Sequence, residues 1–168
     1  MARPRPAFLR LWHPPAKMTP MDSGQVIREV EQRCRQRGLR LTPTRRRVLE
    51  LVLAAEGPVK AYDLLDELKH EQPKAAPPTI YRALDFLLAN HFIHRLESLN
   101  AFVSCFHPAE SHQGQFLICD ACQSVTEIHD AGLAHKLRDA AEHQHFRPSR
   151  QVLEIYGLCQ ACREAGCR

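Results

Sequence analysis

Two cysteine pairs of identical spacing dominate the C-terminal part of the chain. Cys119 lies three residues before Cys122, Cys159 three before Cys162, and 36 residues separate the pairs. Thiolates at i and i+3 can grip one ion from a tight knuckle, and two knuckles complete a tetrahedron around zinc. The two knuckles must then meet in space, which limits the folds this segment can adopt. The intervening stretch exceeds the roughly 15–20 residues of a simple zinc ribbon, so a helix and a strand must bring the knuckles together. A thioredoxin-like redox pair instead sits singly at a helix start inside a larger α/β domain, and nothing around either pair resembles that. The spacing therefore points to a structural four-cysteine zinc site.

The remaining composition agrees with a reducing compartment. Seven cysteines are an odd number, and the start MARPRPAFLRLWHPPAKM has neither a clean apolar core nor a small-residue cleavage site. Seven of the ten histidines fall between His94 and His145, in the same part as the cysteine pairs. No run approaches the roughly 18 apolar residues of a membrane helix. Charge is divided unevenly. Residues 1–60 hold 13 Lys and Arg against 5 Asp and Glu, and the remainder holds 10 against 14. A basic N-terminal part joined to an acidic remainder predicts a polyanionic partner on one side only.

Along the chain, residues 1–21 are rich in Pro and Arg without periodicity and read as a disordered extension. Met18 and Met21 offer alternative starts to Met1, which the intact mass of the native protein decides. Asp22 and Ser23 can cap a helix that runs to about Arg37 and closes at Gly38. Thr42 is a good N-cap with Pro43 in the first helical position. Val48, Leu51, Val52 and Ala55 then form one apolar face, Arg45, Arg46 and Arg47 crowd the first turn, and Gly57-Pro58 stops the helix. AYDLLDELKHE repeats the pattern with Ala61, Leu64, Leu65 and Leu68 inward. TIYRALDFLLAN does so with Ile80, Leu84, Leu87 and Leu88, and Pro78 stands near its start. HFIHRLE and NAFVSCF read as two strands joined near Ser98–Asn100.

Short helices followed by a hairpin, carrying the excess positive charge, give the order of a winged helix-turn-helix over residues 22–106. On its last helix Thr79, Tyr81, Arg82 and Asp85 lie off the apolar stripe. Arg can read guanine bidentately and Tyr can meet a phosphate or a thymine methyl. On helical pattern alone, however, the plainer reading of that face is a solvated one. After a hinge at 107–113, residues 114–168 change character. QFLICD, SVTEIH and QVLEIYGLC read as strands, with AGLAHKLRDAAEHQ an amphipathic helix between the second and third. A unit this small needs a metal, a partner subunit, or both. The fold class is thus α+β, a winged helix-turn-helix domain followed by a small α/β dimerisation domain with a four-cysteine zinc site. A fully ligated structural ion senses nothing, so a sensor would need other ligands. His94, Cys105, His107, His112 and Glu127 are placed for that, though each taken alone reads as an ordinary core or surface residue.

From about residue 24 to 165 the chain resembles the ferric uptake regulator family, specifically its zinc uptake regulator branch. LTPTRRRVL, AYDLLDEL, PPTIYRALDFLLANHFIHRLES, FLICDACQSVTEI and GLCQAC carry the resemblance, in order and across both domains. It implies a cytoplasmic zinc-dependent transcriptional repressor of zinc uptake genes, not an enzyme, that binds double-stranded operator DNA as a zinc-loaded homodimer. Dimers of such a protein can pair on DNA. It implies two zinc ions per subunit. Cys119, Cys122, Cys159 and Cys162 match the structural ligands, and His94, Cys105, His112 and Glu127 match the regulatory ones. Tyr81 and Arg82 match the DNA-reading pair, which reverses the plainer reading of that helix face; Thr79 and Arg45 join them as expected DNA contacts.

The departures are informative. Iron-type members carry a His/Asp-rich run where this chain has GQFLI (114–118), and a late histidine where it has Arg150. A third, iron-like site is therefore not expected. Two imidazoles, one thiolate and one carboxylate also suit zinc better than ferrous iron. His107, His129, His135, His143 and His145 match no ligand position; Cys34 reads as a buried helix thiol and Cys167 as part of a tail. Three alternatives stay open: an iron, manganese or peroxide sensor of the same family, a thiol-disulfide redox protein, and a zinc buffer, which would need no recognition helix.

Overall fold

The computed structural model describes residues 23–55, 57–105 and 114–167. The expected extension, the start positions, the Asp22 cap, and the hinge with His107 and His112 lie outside the described residues. The described chain divides into two compact units, one within Met18–Ser111 and one within His112–Arg168.

The first unit is built on four helices, α1 (Ser23–Gln36), α2 (Pro43–Ala54), α3 (Ala61–Glu71) and α4 (Pro77–Ala89). Val26, Val30 and Cys34, spaced four apart, form the buried stripe of α1. Its end is a Schellman turn: Leu39 N–H donates to the Cys34 carbonyl at 2.8 Å and Gly38 N–H to Arg35 at 3.3 Å. Gly38 has φ +65°, a conformation a side chain would resist. Thr42 caps α2, its hydroxyl accepting from Arg45 N–H at 3.4 Å, and Pro43 fills the first helical position. Sequence periodicity places Leu51 and Ala55 on the buried face, but both are half-buried, and Leu49 is fully buried instead. The reason is that α2 packs against α1, α3 and α4 together. A central helix is covered on more than one stripe.

Two prolines, Pro77 and Pro78, open α4 in its first turn, where missing N–H groups cost nothing. Ile80, Ala83, Leu84 and Leu87 turn inward from it, joining Leu64, Leu65 and Leu68 of α3 in one core. The wing is an antiparallel pair, β1 (Ile93–Leu96) and β2 (Ala101–Ser104), with His94 opposite Val103 and Leu96 opposite Ala101. Asn100 takes φ +46° in the connecting turn. Val59, in the α2–α3 connection, bridges to Phe102 through two backbone hydrogen bonds of 3.0 and 2.8 Å. The wing is thereby tied to the helical core.

The second unit is a three-stranded mixed sheet of order β4-β3-β5. β3 (Gly114–Cys119) pairs antiparallel with β4 (Val125–Ile128) and parallel with β5 (Val152–Gly157). The parallel pairing requires a crossover, which α5 (Ala131–His143) supplies. A five-residue helix, α6 (Gln160–Glu164), follows β5; the sequence reading did not anticipate it. Among the described residues, the only buried apolar side chains of this unit are Phe116, Ile118, Cys119 and Cys162. α5 buries no residue completely, and Leu117, Leu137, Ile155 and Tyr156 stand exposed. The unit leaves apolar surface uncovered, as a subunit interface would. Among the described residues no helix is long and apolar enough to cross a membrane.

Leu84 lies at the centre of the first unit with no exposed surface. Leu84→Ala should cost about 2–5 kcal/mol, read as a lowered urea midpoint of helical circular dichroism.

Candidate metal centre

The four cysteines of the two pairs converge. Cys119 ends β3, Cys122 follows in the turn toward β4, Cys159 caps α6 and Cys162 lies within it. Parallel pairing of β3 with β5, with Cys119 beside Gly157, brings the two knuckles side by side. All four sulfur atoms lie within 4.8 Å of one another, and Cys122 and Cys159 are 3.8 Å apart. Four sulfurs at about 2.3 Å from a tetrahedral zinc stand about 3.8 Å from each other. A disulfide would require about 2.05 Å, and all seven cysteines are free thiols. Four sulfurs gathered at these separations have the geometry of a metal cage.

Backbone donors build the first knuckle. Cys119 N–H donates to the Ser124 carbonyl at 2.9 Å and Gln123 N–H to the Cys119 carbonyl at 2.9 Å. Gln123 takes φ +60° to close the turn. Cys159 N–H donates to the Cys119 sulfur at 3.4 Å. Electrostatics divide the thiols. Burial works to raise Cys119, but N–H donors from Cys159, Cys122 and Ala121, with the Cys122 side chain, outweigh it and lower its pKa to about 6. Burial and the neighbouring thiols Cys159, Cys122 and Cys119 push Cys162 far upward. Four thiols this close cannot all ionise without a cation among them. A divalent ion with soft ligand preference resolves that conflict, and zinc fits the donor set.

A second pair of ligand types sits in the first unit. His94 on β1 is 9% exposed and Cys105, immediately after β2, is fully buried. Cys105 N–H donates to the Phe92 carbonyl at 3.3 Å, which holds it beside β1. The ligand atoms of His94 and Cys105 lie within 4.8 Å of one another. Glu127 belongs to the second unit, half-buried on β4 opposite Phe116. Of the expected regulatory ligands, His112 lies outside the described residues.

The basic face is partly spent on internal contacts. Arg46 pairs with Glu31 of α1 and, at 3.0 Å, with Glu50. Arg47 bridges Glu50 at 3.3 Å and Glu71 of α3 at 2.5 Å. These two arginines fasten α2 to its neighbours. Arg45 lays its guanidinium 3.8 Å from the Phe86 ring centroid and donates to the Arg40 carbonyl at 2.7 Å. On α4, by contrast, Tyr81 and Arg82 are exposed with Asp85, while Thr79 is half-buried and accepts the Ala76 N–H at 3.4 Å. The sequence reading also missed Ser124, 7% exposed with its hydroxyl 3.2 Å from the Cys122 sulfur. Its position two residues after a ligand was the available signal.

With so few buried apolar residues, the second unit depends on the cage. Stripping the metal with a strong chelator should remove about 10 kcal/mol of support. Sheet-region amides of 114–167 should then lose hydrogen-exchange protection while those of α1–α4 keep theirs.

Comparison with known proteins fits this geometry. Residues 36–156 match the ferric uptake regulator family. Over 146 residues the chain is 41% identical to the zinc uptake regulation protein of Escherichia coli (strain K12), spanning 86% of this chain and 85% of that protein. A zinc uptake regulator complexed with zinc and DNA matches with a TM-score of 0.83 at 39% identity, covering 87% of this chain and 98% of that one. Holo XcZur matches at 0.77 with 50% identity, covering 83% and 98%. A winged helix, a four-cysteine cage and this degree of identity together place the chain in the ferric uptake regulator family, within its zinc uptake regulator branch.

Proposed function

We propose that this protein is a zinc-dependent transcriptional repressor of zinc uptake genes, acting in the cytoplasm as a homodimer on double-stranded operator DNA. The observation that carries the reading is the buried His94–Cys105 pair, which puts soft metal ligands inside the same unit as the exposed α4. The likeness to a zinc uptake regulator complexed with zinc and DNA supports it. The reading divides the chain into an extension (1–21), a DNA-binding domain (22–106), a hinge (107–113) and a dimerisation domain (114–168).

Cys119, Cys122, Cys159 and Cys162 would hold one structural zinc per subunit, and His94, Cys105, His112 and Glu127 one regulatory zinc. When bound, zinc supplies a cross-link between its ligands, with no redox chemistry of its own. His94 and Cys105 would be its ligands from the DNA-binding domain, and Glu127 its ligand from the dimerisation domain. Tyr81 and Arg82 read the major groove from α4, with Thr79 and Arg45 assisting at the backbone. No residue is assigned a catalytic role. Dimers can pair on the operator by the same reading.

A switch of this kind has a quantitative requirement. Moving the chain from 1:99 to 99:1 in the binding-competent form needs about 10⁴-fold preference of the ion for that form, roughly 5.5 kcal/mol. Reciprocity then makes operator DNA tighten zinc binding by the same factor.

The deciding experiment is a set of operator-binding isotherms at buffered free zinc, iron and manganese, with metal content measured alongside. Zinc alone should support binding at its cellular range; tighter binding with iron or manganese would move the protein to the other sensors of its family. Cys105→Ser should abolish zinc-dependent DNA binding while the chain stays folded and dimeric. An unfolded or monomeric variant would assign Cys105 to structure instead. Arg82→Ala should cost about 1–3 kcal/mol of operator affinity and relax sequence preference at one base pair, as measured by competition with mutated operators.

A further inference from the structure

The sulfur atoms of the cage are not equally supported. Four thiolates around one divalent ion leave a net charge of −2, which hydrogen-bond donors around the ligands must stabilise. Cys119 receives main-chain donors, among them the Cys159 N–H at 3.4 Å. Cys122 has a different neighbour, the Ser124 hydroxyl at 3.2 Å. Ser124 is 7% exposed, and its carbonyl accepts the Cys119 N–H at 2.9 Å, so the knuckle itself fixes its backbone. Gln123, at φ +60°, turns the chain so that residue 124 returns toward Cys122.

We propose that Ser124 is a positioning residue of the four-cysteine centre, its hydroxyl donating to the Cys122 thiolate so as to hold the ion and quiet that sulfur. A metal-bound thiolate has no hydrogen to give, so the serine hydroxyl, free to rotate, is the donor of the pair. A donor to a thiolate draws charge from it, and a sulfur with less charge is a poorer nucleophile. The same contact fixes the side-chain rotamer that points Cys122 into the cage. The inference rests on the structural-zinc reading above and extends it to a residue that is not itself a ligand.

The test compares full-length zinc-loaded protein with its Ser124→Ala, Ser124→Thr and Ser124→Val forms. Thr and Val have nearly the same shape, and only Thr keeps the hydroxyl. Zinc loss to a chromophoric chelator should be about 10-fold faster in the Ala and Val forms, and near the parent rate in the Thr form. With substoichiometric N-ethylmaleimide, peptide mapping should find the first labelled cysteine shifted to Cys122 in Ala and Val but not in Thr. Should the Ala form fail to fold, the Thr and Val pair still decides. Equal zinc loss and equal labelling in Thr and Val would reduce Ser124 to packing and overturn the proposal. A parent protein holding no zinc on these thiols would overturn the metal assignment and this role with it.

Discussion

Four sulfur atoms held within 4.8 Å of one another set the terms for the C-terminal unit. Without a cation they compete for protons, as the opposite displacements of Cys119 and Cys162 express. With one, the repulsion becomes coordination, and the segments that follow β3 and β5 are cross-linked at one end of the sheet. The sheet has little else to hold it. Phe116 and Ile118 are the large buried side chains among its described residues, and α5 buries no residue of its own completely. A unit with so small a core leans on the cage for its fold, and it leaves Leu117, Leu137, Ile155 and Tyr156 exposed.

The N-terminal unit obeys a different logic. Its core is continuous, from Val26 and Val30 of α1 through Leu49 and Val52 of α2 to Leu84 and Leu87 of α4. Ion pairs from Arg46 and Arg47 run across its surface from α1 to α3. Such exposed pairs add little stability and are screened by salt. Their effect is on charge distribution, because they neutralise part of the basic cluster that the sequence presents near residue 46. On α4 the exposed positive charge is that of Arg82, beside Tyr81.

Legibility followed the physics of each element. Helices with local caps could be located closely, as with Thr42-Pro43 and Gly38, because caps are decided by neighbouring residues. The buried stripe of α3 was legible for the same reason, since one side faces the core. The burial of Leu49 was not, because it depends on how many partners surround α2, which no local pattern records. The five-residue α6 was too short to show a period. At the cage, spacing alone pointed to all four cysteines, since a knuckle is a local motif. Position made His94 and Cys105 two candidates among five, and resemblance selected them, because their proximity arises from the pairing of β1 with β2 and the return of the chain past Phe92. Ser124 went unnoticed because a serine beside a turn is unremarkable until its hydroxyl is seen against a sulfur.

The bridge between Val59 and Phe102 carries a last implication. Two backbone hydrogen bonds stitch the connection ahead of α3 to the second wing strand, so the wing is fastened to the helices within one unit. On the proposed reading, a unit fastened in this way gives a remote event little internal play with which to alter the bases it favours. Regulation would then act on whether that unit is presented, and leave its vocabulary alone. Operator preference and operator occupancy would then be separable traits, the first written in α4 and the second in the proposed metal ligands.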